Sequence, residues 1–199
     1  YYSATGTNHA LAEAAARAAE RGGAAVRLRR VPELAPDEAV RANPAWSRHR
    51  EATRHIAEAT MDDLKAADCL LFSVPTRFGS IPAQMKQFLD QAGPLWAQGE
   101  LANKAVSAMS SAQNLHGGQE ATLLALYTVM WHWGAIVVAP GYTHPAYFAA
   151  GGNPYGVSTV AVENGQLAEE TVAAVEAQTQ RLLQVGSWIR AGLKAHTMA

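Results

Sequence analysis

Residues 68–75 read DCLLFSVP, an unbroken apolar run closed by a proline. A strand wetted on one face alternates apolar and polar residues. A continuous run needs cover on both faces, the condition of a strand inside a parallel sheet between helix layers. The sequence on either side supplies those layers. Upstream, Asn8 to Arg21 is rich in alanine, sets Leu11, Ala15, Ala18 and Ala19 to pack against a flat surface, and stops at Gly22-Gly23, so it predicts a helix. AAVRLRRV (24–31) alternates like a strand near an edge. Residues 32–60 are polar, carry Pro32, Pro36 and Pro44, and include the charged stretch WSRHREATRHIAEAT. They read as an insertion with a short helix and no assigned chemistry.

Downstream the alternation continues. A helix from Pro82 to about Ala92 begins with proline. KAVSAMSS (104–111) reads as a strand, SAQNLHGGQE (111–120) as a glycine-bearing loop, EATLLALYTVMWHW (120–133) as a helix and GAIVVAP (134–140) as a buried strand. An amphipathic helix from Glu169 to about Arg190 closes the series. Strands alternating with helices imply parallel strands with right-handed crossovers, a doubly wound α/β sheet with helices on both faces. Five strands fit if Tyr1 and Tyr2 are the tail of a first strand truncated at the N-terminus. The chain, 199 residues and 49% hydrophobic, then forms one domain over 1–199.

With 16 basic against 17 acidic residues, no net field favours nucleic acid, an anionic membrane or a strongly charged partner. No segment reaches the roughly 18 apolar residues of a membrane span, and no signal peptide precedes the first helix. The lone Cys69 sits in the apolar run and reads as a small buried hydrophobe in a reducing, cytoplasmic setting.

Ligands of such sheets sit beyond the carboxyl ends of the strands. Three polar loops leave those ends. SATGTNH (3–9) offers Ser3, Thr5, Thr7 and Asn8 as short donors, Gly6 as a bend, and the mouth of a helix, all suited to a phosphate or, equally, to a helix cap. It has no lysine, arginine or acidic metal ligand, so magnesium-dependent phosphoryl transfer is unsupported. PTRFGSIP (75–82) presents Thr76, Arg77, Phe78 and Gly79 between Pro75 and Pro82: N–H groups, one cation and one aromatic face for a planar ring. SAQNLHGGQE adds small donors and Gly117-Gly118, which admit a flat ligand closely. Together the loops point to a phosphate-plus-ring cofactor, with flavin mononucleotide (FMN) ahead of dinucleotides because GxGxxG is absent. His116 and His144 lack a partner at metal-ligand spacing, and no metal is expected.

YYS with its hydroxyl-rich loop, VPTRFGSIPAQMKQFLDQAGPLWAQG, HGGQEATL, WHWGAIVVAPGY and NPYGVSTVA resemble, in order and spacing, the flavodoxin-like NAD(P)H:quinone oxidoreductases of the WrbA type. The resemblance implies a five-stranded sheet in the order 2-1-3-4-5, FMN at its edge, hydride from NAD(P)H and two electrons passed to a quinone by a ping-pong sequence. It implies that Ser3, Gly6 and His9, with the hydroxyls between, hold the phosphate, and that Thr76, Arg77 and Phe78 line the ring. Ser111, Ala112, Gln113, Asn114, His116, Gly117 and Gly118 would follow the ring's other edge, with His132 over it as the catalytic residue. Trp96 would touch substrate, and the assembly would be a homotetramer with pockets near subunit contacts. The chain departs from the family pattern in a first loop one residue longer, closer to flavodoxin's own. It departs again at Trp133, where a second histidine is usual and which would make the pocket more apolar. The alternative from another class is a flavodoxin-type one-electron carrier. Such carriers are strongly acidic, unlike this chain at net charge −1.

Overall fold

The computed structural model describes residues 1–162 and 165–197. It contains α1 (Thr7–Arg21), α2 (Asp37–Ala42), α3 (Pro44–Ala52), α4 (Met61–Ala66), β1 (Cys69–Pro75), α5 (Ala83–Asp90), α6 (Gly93–Ala97), β2 (Ala105–Ala112), α7 (Gln119–His132), β3 (Ile136–Val137), α8 (Pro145–Ala149), β4 (Ser158–Val160) and α9 (Glu169–Thr197).

The stretch that decides the fold is β1, paired in parallel with β2 from Cys69 opposite Ala105 to Pro75 opposite Ser111. β2 is buried along its whole length. Its other edge is shared: β3 pairs with Ala105 and Val106, β4 with Ser110 to Ala112. GAIVVAP therefore supplies only a two-residue strand, and residues 138–157 loop out before β4 resumes the same edge. Both faces are covered, as the continuous apolar run requires. Phe72, Val74, Val106 and Ala108 point to one side, against Met85, Phe88 and Leu89 of α5 and Leu123, Leu126 and Met130 of α7. Met109 points to the other, against Leu11, Ala14 and Ala15 of α1 and Ala174 and Val175 of α9. The two-residue alternation of side chains along a strand divides the core this way.

Four strands form among the described residues, not five. Tyr1 and Tyr2 nonetheless bond on both sides: Val31 N–H donates to Tyr1 O at 2.8 Å, and Tyr2 N–H to Ser73 O at 3.0 Å. The run is too short to count as a strand, and AAVRLRRV makes only an isolated bridge, Arg30 to Glu58. Residues 32–60 form two short helices rather than one. Gln178 of α9 fastens β2 to the approach of β4: its Nε2 donates to Ser107 Oγ at 2.7 Å and Ala108 O at 2.9 Å, while its Oε1 accepts from Val157 N–H at 2.7 Å. Cys69 is half-buried, its Sγ 3.9 Å from Leu182 O of α9, and burial pushes the thiol pKa up. No described helix is long and apolar enough to cross a membrane.

Candidate active site

All three loops leave one edge of the sheet, and the structure ties them to each other. Asn8 is the central tie. Its Nδ2 donates to Ser111 Oγ at 2.6 Å, its Oδ1 accepts from Ser73 Oγ at 3.2 Å, and its main-chain O accepts from the same hydroxyl at 2.9 Å. Thr7 Oγ1 accepts from Val162 N–H at 3.1 Å, joining the first loop to the segment after β4. Both side chains are buried, Asn8 at 1% and Thr7 at 3% exposure. In this structure the Thr7 and Asn8 side chains hold the loop in shape, because hydroxyl and amide groups under the sheet edge must be paired. Ser111, expected along the ring, is likewise buried and spent on Asn8.

The mouth of α1 stays open. Its N-cap is Gly6, left-handed at φ 114°, with no side-chain cap. The first helical bond is Ala10 N–H to Gly6 O at 2.9 Å, so the amides of Thr7, Asn8 and His9 have no intrahelical partner. Gly6 N–H donates to Ser3 Oγ at 3.1 Å, and Thr5 is exposed. His9 stacks on Tyr1 with ring centroids 5.1 Å apart. Its Nε2 is buried without a hydrogen-bond partner among the described residues, being 3.6 Å from Glu13 Oε1: within ion-pair range, too long for a hydrogen bond.

The second and third loops interlock. Thr76 N–H donates to Ser111 O at 2.8 Å. The Thr76 hydroxyl accepts from Gly79 N–H at 3.1 Å and from Thr122 Oγ1 at 2.8 Å, which also lies 2.9 Å from Gly118 O. Gly118 has φ 94°, and a Cβ there would stand 2.8 Å from Gly79 Cα. The lack of side chains at Gly79 and Gly118 lets the second and third loops approach each other closely. Thr122 was missed, since a threonine within an apolar helix carries no signal of its own. Pro75 is buried; Arg77 and Phe78 are exposed. Arg77 Nη1 donates to Thr76 O at 2.9 Å. Its charge also faces Tyr2, whose hydroxyl donates to Glu33 at 3.0 Å and whose pKa burial raises, with the Glu33 carboxylate adding to the rise. Phe78 is left-handed at φ 52° with its ring wholly in solvent. Gln113, Asn114 and His116 are exposed, and Asn114 O accepts from Gly117 N–H at 3.1 Å and Gln119 Nε2 at 2.8 Å. Ala112 is buried beneath that loop.

His132 and Trp96 lie elsewhere in the chain. α7 starts at the third loop and carries His132 at its far end, about 20 Å away at 1.5 Å per residue. There Trp96 Nε1 donates to His132 O at 2.9 Å, and Trp96 is 56% exposed. Trp133 is buried in the core with Met130, so it fills the end of α7 rather than the pocket. His144 caps α8, its Nδ1 accepting from Ala146 N–H at 3.2 Å. Among the described residues, no three histidine, cysteine, aspartate or glutamate side chains gather to hold a metal ion.

The family model described as NADPH-dependent FMN reductase matches residues 2–148. A protein of Deinococcus radiodurans named NAD(P)H dehydrogenase (quinone) is 47% identical over 93% of this chain and 92% of its own length. The chain belongs to the NADPH-dependent FMN reductase family. A Geobacter sulfurreducens protein also named NAD(P)H dehydrogenase (quinone) is 39% identical, covering 94% of this chain and 95% of itself. A WrbA-like flavodoxin structure from Agrobacterium tumefaciens superposes with TM-score 0.60 at 21% identity over 96% of this chain and 94% of that one, which shows the shared flavodoxin-like fold.

The residues of this FMN reductase family member suit the flavin. The uncapped mouth of α1 and the unpartnered Nε2 of His9 ask for an anion. A fully exposed phenylalanine in a backbone region that costs energy asks for a flat partner.

Proposed function

We propose that the chain is an FMN-dependent NAD(P)H:quinone oxidoreductase that reduces quinones by two electrons in a ping-pong sequence. The observation that carries this reading is the cradle at the sheet edge, three loops bound to one another around an uncapped helix mouth on one side and an exposed Phe78 with Arg77 on the other. The family match and the named relatives support it. FMN, when bound, supplies the hydride acceptor and the two-electron donor.

The chain's own residues position and tune. The amides at the mouth of α1, with Ser3, Thr5 and His9, take the phosphate. The N–H groups of 76–79 and the stretch Gln113 to His116 flank the ring, and Arg77 stabilises negative charge accumulating there. A single stacking site serves nicotinamide and then quinone, which is the basis of the ping-pong reading. Tyr1–Tyr2 and Arg29–Val31 serve as the first and second strands of the order 2-1-3-4-5, as their backbone bonds suggest. His132 hydrogen-bonds a quinone oxygen or delivers a proton, and Trp96 touches substrate. Since both sit one helix length from their own cradle, they act on a second copy's flavin. A homotetramer accommodates this, and the exposed Trp96, Leu124 and Trp131 are the apolar surface that suits it. A cytoplasmic setting fits the lone thiol.

Stopped-flow mixing of FMN-loaded protein with NADH or NADPH, then benzoquinone, tests the activity. Bleaching by a nicotinamide and return of colour with quinone are expected; protein that takes up no FMN would refute the reading. Light scattering gives the mass, and His132→Gln with unchanged quinone turnover would remove the role of that residue.

A further inference from the structure

The insertion at 32–60, which carries no recognised motif, reaches the first loop through α3. α3 places His49 Nδ1 3.6 Å from the position a Cβ on Gly6 would occupy, and the His49 and His9 rings lie 5.3 Å apart between centroids. The helix is held firmly. Asn43 Oδ1 caps it, accepting from Ala45 N–H at 3.1 Å and Trp46 N–H at 3.2 Å, and Trp46 Nε1 donates to Glu33 Oε2 at 3.0 Å. Glu33 is gripped in turn by Tyr2 and by Gln84 Nε2 at 2.7 Å. His49 O accepts from Thr53 Oγ1 at 2.8 Å, yet neither His49 ring nitrogen has a hydrogen-bond partner among the described residues. A fixed imidazole whose nitrogens have no hydrogen-bond partner among the described residues therefore faces an uncapped helix mouth whose own loop, residues 3–9, contains no lysine or arginine.

Resting on the FMN reading above, we propose that His49 is a phosphate ligand of FMN and that, with His9, it makes flavin binding proton-linked.

Burial disfavours the cationic form of both rings. Burial pushes the His49 pKa down to about 4, with the His9 charge as a lesser cause, and burial also lowers His9. The other groups facing them are mixed. Glu13 favours the charged His9, whereas Arg17 and His55 oppose it. Arg30 faces the Tyr1 phenol, and Arg50, next along α3, is occupied by Asp37 at 2.7 Å. Among the described residues no carboxylate acts on His49 to favour its cation, and the phosphate of the ligand supplies that negative charge. A phosphate dianion within hydrogen-bonding reach favours imidazolium, so FMN binding takes up protons and tightens as pH falls from 8 to 6.5.

The test is calorimetric titration of the flavin-free full chain with FMN and with riboflavin, which lacks the phosphate, in buffers of different ionisation enthalpy at pH 6.5 and 8. Wild type is expected to take up protons with FMN and not with riboflavin. His49→Gln should weaken FMN about tenfold at pH 6.5, lower the proton uptake, and leave riboflavin affinity within about twofold of wild type. His49→Arg, a permanent cation, should keep FMN affinity at pH 8 and flatten the pH dependence. Unchanged FMN affinity and proton uptake in His49→Gln, or equal loss for FMN and riboflavin, overturns the proposal and leaves the FMN reading standing. A wild type that binds neither flavin overturns both.

Discussion

Replacing Asn8 with alanine separates a residue that shapes the cradle from one that touches the cofactor. The substitution deletes the 2.6 Å bond to Ser111 Oγ and the 3.2 Å bond from Ser73 Oγ, while the Ser73 hydroxyl keeps its 2.9 Å bond to the main-chain O of residue 8. The one net hydrogen bond lost is worth about 1 kcal/mol, and the stranded, buried Ser111 hydroxyl adds about 1–2 kcal/mol, for a total of about 2–3 kcal/mol. With a urea slope of about 2 kcal/mol/M, the unfolding midpoint should fall by about 1–1.5 M. The decisive comparison repeats the melt with FMN at one fixed concentration, about 100 times the wild-type Kd, which adds about 2.7 kcal/mol to wild type and the same to the variant only if its Kd is unchanged. Because the residue 8 amide is retained and the side chain points into the sheet, the gap between wild type and Asn8→Ala should be the same with and without flavin. A gap that vanishes in the flavin-free protein would mean that the side chain binds phosphate, and the assignment of Asn8 as an internal tie would be refuted.

Gly118→Ala places a methyl 2.8 Å from Gly79 Cα at φ 94°. Left-handed strain and overpacking should together cost about 2–4 kcal/mol, lowering Tm by about 6–12 °C, and a melt within 2 °C of wild type (about half a kcal/mol) would deny the loop contact. Arg77→Ala should lower the two-electron potential of bound FMN by about 30 mV, a tenfold change in the equilibrium; spectroelectrochemistry that finds no shift removes its electrostatic role. Acid should weaken the flavin-free fold through His49. Its folded pKa of about 4 lies below the unfolded value of 6.5, so its contribution is present above 6.5 and is lost as pH falls toward 4. Melts from pH 7 to 4 should therefore slope less in His49→Gln, and identical slopes would show that His49 is not held neutral.

DCLLFSVP, the alanine-rich helix and the alternation that follows were sufficient for a parallel sheet between helix layers and for the three loops at its carboxyl edge. These are matters of local periodicity, set by which residues must leave water. Where each loop side chain turns was decided only by the tertiary structure. Asn8 faces inward because Ser111, 103 residues away, presents a hydroxyl beneath it. Gly118 is needed because Gly79 passes close by, and His132 is parted from its own cradle by the length of α7. His49 reaches the loop at 3–9 because Trp46 and Glu33 pin α3 there, although its polar surroundings read as plain insertion. Periodicity reports burial within one element; the direction of a hydrogen bond between elements depends on partners brought together only when the layers pack.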